Sequence, residues 1–337
     1  MKANMHQWVE SVMSGNRKAL PIMTHPGIEL IGKSVLDVVT DGETHFRAIE
    51  AIQHKFSPLA STMVMDLTVE AQAFGSSVNY SENEVPTVTG RIVNDFESVT
   101  KLEIPALTQG RVLEYLKAAK LSADNICNVP VFAGCIGPFS LAGRLFDMTE
   151  IMTAAFIEPE TVELLLSKCS QFLTEYICAF KNCGVNGILI AEPAAGMLSE
   201  EMCQQLSSDY IKKIVAELQD EYFMIILHNC GNTGHVTQSM VNTGAAGLHF
   251  GNKIDMEQVL KEVPSDILVF GNLDPVGVFK MGNPQSIHDA TIQLLKKTEG
   301  YSNFVISSGC DTPPGVEIEN ITAFFDAVNN FNESKTA

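Results

Sequence analysis

The chain has 337 residues, long enough to bury a large core without disulfides. Forty Asp and Glu stand against twenty-two Lys and Arg, a formal net charge of −18, which excludes a surface built to attract nucleic acid or anionic lipid. The eight cysteines lack a disulfide-framework spacing, MKANMHQWVESVMSGNRK has no signal-peptide core, and no run nears the ~18 apolar residues of a membrane span, so a cytoplasmic protein with reduced thiols is expected.

Residues 5–14 place apolar side chains at helical spacing before Gly15, which predicts an N-terminal helical extension over 1–18. Eight short apolar runs then stop at Gly, Pro or a polar residue: ALPIMT (19–24), STMVMD (61–66), VPVFAG (129–134), NGILIAE (186–192), YFMIIL (222–227), AAGLHF (245–250), ILVFGN (267–272) and FVISSG (304–309). Helical periodicity separates most of them. The stretch between the second and third is too long for one helix, and its turn signals and β-branched runs predict a hairpin-containing insertion over 67–128, with a helix around 109–121. From Pro159 to Cys183, Val162, Leu165, Leu166, Cys169, Phe172, Leu173, Tyr176, Ile177 and Phe180 form one helical stripe that Gly184 ends. Cys169, Cys178 and Cys183 on that helix read as packing residues. Alternation of buried strands with helices predicts a parallel sheet, and eight such units predict an α/β fold, a (β/α)8 TIM barrel formed by one domain over 1–337. An open doubly wound sheet is the alternative.

In a β/α barrel the C-terminal ends of the strands build the active site. Here they carry His25, Asp66, Cys135, Glu192, His228 with Cys230, His249, Asn272 with Asp274, and Cys310. His228 and Cys230, in FMIILHNCGNTGH, stand two positions apart, so an extended segment points both the same way. Cys310, in ISSGCDTPPG, leaves the eighth strand, across the mouth from the fifth. An HxC alone reads as loop structure, but one imidazole and two thiolates converging from two strands suit zinc and leave a fourth position open. Glu192 reads as a fourth ligand or as a group orienting one. Asp66 reads as a substrate-contacting carboxylate or a turn cap, and Asp66 and Glu192 are the candidate catalytic residues. His249 reads as a core histidine or a ligand's partner, Asn272 and Asp274 as loop-shaping, Cys135 as packing, and His235 as the start of the next helix.

LHNCGN around 228–230, Cys310 in SSGCDTPPGVEIENI, GNLDP at 271–275, GPFSLA at 137–142 and AEPAAGMLS at 191–199 resemble, in order and over nearly the whole chain, the methylcobamide:coenzyme M methyltransferases within the uroporphyrinogen decarboxylase superfamily. The resemblance implies a zinc-dependent methyltransferase with ligands His228, Cys230 and Cys310. Its methyl donor would be a methylated corrinoid (methylcobamide) on a separate corrinoid carrier protein, and its acceptor a small thiol such as coenzyme M. It also sets Asp66 near the pyrrole-binding aspartate of the decarboxylase branch, and Arg144 is the one cation named for a sulfonate. Three rivals stand beside this reading. A metal-free uroporphyrinogen decarboxylase needs an arginine-bearing N-terminal motif, where ALPIMTHPGIELIG has no Lys or Arg before Lys33. Folate-dependent methionine synthases place a glutamate ligand where this chain has Gly247, Leu248, His249 and Phe250, although homocysteine with a corrinoid donor stays open. The third is a corrinoid- or thiol-binding subunit without turnover.

Overall fold

The computed structural model describes residues 3–336. Its strands in chain order are β1 (Ser61–Thr62), β2 (Ser77–Asn79), β3 (Thr87–Thr89), β4 (Val131–Ile136), β5 (Gly187–Ala191), β6 (Met224–Asn229), β7 (Gly247–Phe250), β8 (Leu268–Leu273) and β9 (Phe304–Ser308). Seven of them pair in parallel in the order β1-β4-β5-β6-β7-β8-β9, and helices connect most neighbours. β4 to β9 are buried at every position, as strands covered on both faces must be.

The segment 19–24 joins the two edges of this sheet. Leu20 N–H donates to Ile306 O (3.0 Å) on β9, and Ala19 O accepts from Leu59 N–H (2.9 Å) just before β1. The ring is therefore closed as a β/α barrel whose eighth stave is irregular rather than the strand expected there. Pro21 explains the difference, because it has no N–H to give a ladder. The second expected strand, 61–66, is also cut to two residues. After Met63 N–H reaches Phe132 O (3.1 Å), Val64 N–H turns to the His45 ring (2.9 Å) and leaves the sheet.

The predicted N-terminal helix spans Met5–Ser14, capped by the Asn4 side chain on Gln7 N–H. Its Met5 and Trp8 pack on Leu20, Phe132, Met224, Phe270 and Val305, which fill the barrel, so the helix plugs the floor and leaves the strand C-termini as the open end. The long helix runs Pro159–Cys183 and ends on Gly184 at φ 101°, a left-handed residue that glycine adopts without strain. Cys169 lies fully buried in the stripe, with Cys178 and Cys183 packed partly buried against the same core. Between β1 and β4, the antiparallel β2/β3 pair is the expected hairpin, and the following helix runs Val112–Asn125, a few residues beyond the expected 109–121. Among the described residues no helix is long and apolar enough to cross a membrane.

Candidate metal centre at the barrel mouth

Parallel pairing places Ala191, His228 and His249 in one register across β5, β6 and β7, so His228 and His249 stand side by side at the strand ends. Both are buried, each 2 % exposed. Their Nδ1 atoms are 2.8 Å apart, and His249 Nε2 lies 2.9 Å from Ser307 Oγ on β9. Beyond β6, Asn229 Oδ1 accepts Gly231 N–H (2.9 Å), a local turn that swings Cys230 over the mouth. Gly251 permits the approach, since a Cβ there would fall 2.4 Å from Cys230 O.

Cys310 is held from both sides. Gly309 N–H donates to Leu273 O (2.7 Å), Thr312 N–H to Ile22 O (3.2 Å), and Asp311 Oδ1 accepts Thr24 N–H (2.8 Å). Strand β9 and the irregular stave thus carry Cys310 toward β6. One ligand atom each from His228, Cys230 and Cys310 falls within 4.8 Å of the others. Around a tetrahedral zinc such atoms stand about 3.5–3.8 Å apart, so small rotamer changes suffice to close on an ion. The Cys310 contact brings the Cys230 thiol down to about 7, while the same contact and burial push Cys310 up, as expected of two sulfurs sharing one proton. Clefts beside Trp8 and Asn186, and along Ser167 and Lys213, lie away from this cluster, so chemistry rather than concavity marks the site.

The other strand-end residues are engaged elsewhere. Glu192 is 1 % exposed, and its two oxygens accept Phe139 N–H (3.0 Å), Ser140 N–H (2.6 Å) and Ser207 Oγ (3.1 Å). It caps the helix Pro138–Phe146, whose first N–H groups have no partner in the helix itself. Asp66 Oδ1 accepts from Thr68 N–H and Oγ1 (2.9 and 2.6 Å), and Oδ2 pairs with Arg111. Arg111 also donates to Val39 O, Gln72 Oε1 and Thr68 Oγ1, and lies 5.0 Å from the Tyr80 ring, tying the hairpin to the barrel. The structure therefore brings together three of the five predicted site residues and turns Asp66 and Glu192 into hydrogen-bonded anchors. Asn272 Nδ2 holds Gly251 O and Ile254 O, Asp274 caps the turn 275–280, and Cys135 is buried in β4. His235 precedes the helix Thr237–Val241 and sits 3.0 Å from Leu198 O. His25 is buried and has no hydrogen-bond partner on either ring nitrogen.

Glu70 is absent from the sequence reading because it lies inside a helix rather than at a strand end. It is 1 % exposed, Oε1 accepts Ile136 N–H (3.1 Å), and Oε2 has no partner. Burial pushes its carboxyl up to about 7, with Asp66 adding to the rise and Arg144 opposing it. Arg144, named for a sulfonate, thus sits within the field of Glu70 and Asp66. The folded chain keeps the Glu70 proton above the ordinary 4.5, where the unfolded chain releases it, so this group costs stability as pH rises from about 4.5 to 7. Glu70→Gln is expected to remove that decline, a gain over wild type on the order of 3 kcal/mol at pH 8 that is absent at pH 4. Urea unfolding of both proteins at the two pH values checks it.

The profile of the family described as uroporphyrinogen decarboxylase (URO-D) matches residues 15–331. The chain belongs to that family. Within the uroporphyrinogen decarboxylase family it is 28% identical over 270 residues to the methylcobamide:CoM methyltransferase of Methanosarcina acetivorans, covering 79% of this chain and 78% of the relative. A uroporphyrinogen decarboxylase of Vesicomyosocius okutanii is 25% identical over 288 residues, covering 83% of this chain and 81% of the relative. Among solved structures, a methyltransferase from Methanosarcina mazei superimposes with a TM-score of 0.87 at 21% identity, over 98% of this chain and 99% of that one. A B12-independent methionine synthase from Shewanella superimposes at 0.62 with 12% identity, over 95% and 96% of the two chains. These structures agree on the barrel. In the stretch Gly247, Leu248, His249 and Phe250 there is no glutamate, and the His249 ring meets His228 and lies outside the group of His228, Cys230 and Cys310.

Proposed function

We propose that the protein transfers a methyl group from a methylated corrinoid, carried on a separate protein, to a small thiol bound by zinc on His228, Cys230 and Cys310. The observation that carries this reading is the convergence of one imidazole nitrogen and two sulfurs within 4.8 Å at the barrel mouth. It occurs in a chain similar along 79% of its length to a methylcobamide:CoM methyltransferase. Three protein donors of this type suit zinc and leave a fourth position for substrate.

Zinc held by His228, Cys230 and Cys310 would supply a Lewis acid able to keep an acceptor thiol deprotonated at neutral pH. As ligands, Cys230 and Cys310 would be deprotonated and would cancel the ion's double positive charge, leaving the acceptor sulfur its nucleophilic electron density. His228 adds a neutral donor from a fixed strand end. In the transfer a sulfur–carbon bond forms as the cobalt–carbon bond breaks, and the bonding pair stays with cobalt. No side chain has to take a proton in that step, which fits a mouth where Asp66 and Glu192 are already occupied by hydrogen bonds. What the chain contributes further is alignment, an effect worth about 7–11 kcal/mol when reacting atoms are well placed. The similar methyltransferase is named for coenzyme M, so coenzyme M is the first thiol to try.

Zinc-loaded protein is expected to convert methylcobalamin, in the presence of coenzyme M, to the demethylated corrinoid and the S-methyl thiol, and to do neither without thiol. Absorbance of the corrinoid follows the reaction. No turnover with coenzyme M, homocysteine or other small thiols, in folded protein with zinc bound, contradicts the proposal and favours a binding subunit.

A further inference from the structure

The chain of contacts behind His228 runs to the backbone and has only one arrangement of protons. Ser307 Oγ lies 2.7 Å from Leu20 O, and a carbonyl only accepts, so the single hydroxyl proton of Ser307 is committed there. Ser307 Oγ then faces His249 Nε2 at 2.9 Å as an acceptor, which puts the His249 proton on Nε2. His249 touches a hydroxyl and an imidazole but no carboxylate, and at 2 % exposure a doubly protonated ring would be a buried charge without a partner. Its Nδ1 is therefore a lone pair. At 2.8 Å that lone pair requires the proton of His228 on Nδ1. His228 Nε2 is left bare, the ring nitrogen remaining for the cluster with Cys230 and Cys310.

From this we infer that His249 and Ser307 are positioning residues that lock His228 in the Nδ1–H tautomer and present Nε2 as the metal donor. The inference rests on His228 being a ligand, as proposed above. It explains why a buried histidine stands in register beside His228 on the next strand. It also gives the irregular stave a task, because Leu20 O terminates the chain. A ring whose other nitrogen donates a hydrogen bond is fixed in orientation and is a stronger donor to the metal.

The test uses the full-length, metal-free protein labelled with 15N-histidine. Long-range 1H–15N correlation at neutral pH is expected to find His228 with a proton on Nδ1 and none on Nε2, and His249 with the reverse. His228 protonated on Nε2, or an equal mixture of its tautomers, overturns the inference, and this readout does not depend on zinc or on turnover. Zinc affinity by chelator competition gives a second readout. His249→Leu is expected to weaken it about 10–100-fold, and His249→Asn, whose amide oxygen can replace the Nδ1 acceptor, to recover most of the loss. Equal affinity in wild type and a folded His249→Leu, or an Asn variant no better than Leu, contradicts the lock. Wild type that binds no zinc overturns the ligand reading instead, and the tautomer measurement still decides the proton arrangement.

Discussion

Cys310→Ala is expected to lose zinc and thiol methylation together: bound metal falls from about one per chain toward zero, and transfer falls at least ~100-fold. The variant leaves one imidazole and one thiolate, too few donors to hold the ion and too little negative charge to neutralise it. Cys135→Ala is the control, because Cys135 is a buried packing residue in β4. It is expected to keep its zinc while losing some stability. Metal analysis and the methylcobalamin assay on both variants check the pair. A Cys310→Ala protein with full zinc and full activity removes Cys310 from the site.

Arg111→Ala carries the largest expected effect on stability. Asp66 has no exposed side-chain surface, and the guanidinium beside it is 8 % exposed, so removing Arg111 strands a buried carboxylate at a cost of about 3–5 kcal/mol. The cation also holds Gln72, Thr68 and the Val39 carbonyl and faces Tyr80, so the hairpin loosens with it. Adding Asp66→Asn to Arg111→Ala is expected to recover part of the loss, because the stranded charge disappears. Denaturant unfolding of the single and double variants measures the coupling. If Arg111→Ala unfolds like wild type and loses only methyl transfer, Asp66 and Arg111 belong to the reaction rather than to the scaffold.

How much of this was legible in the chain depends on distance along it. His228 and Cys230 sit two residues apart at a strand end, and the apolar run FMIIL announces that end, so their common direction follows from backbone geometry. The same rule applied to β9 singles out Cys310, which the fold brings within 4.8 Å of the other two. Asp66 and Glu192 satisfy that rule too, yet their hydrogen-bond partners are ones it does not see. Arg111 comes from 45 positions away inside the insertion, and the Phe139 and Ser140 amides come from a helix start more than 50 positions upstream of Glu192. The irregular stave at 19–24 did have a sequence signal, Pro21 in mid-run, which argues against a central strand. His249 was visible as a strand-end histidine, but the role proposed for it depends on register with β6 and on Ser307, a pairing no local pattern encodes.

The most direct test is the zinc content of protein purified without added metal, measured beside His228→Ala. About one zinc per chain in wild type, sharply reduced in the folded variant, is the result this account predicts. Folded wild type that contains no metal and takes up none when zinc is offered would contradict it and return His228, Cys230 and Cys310 to loop structure.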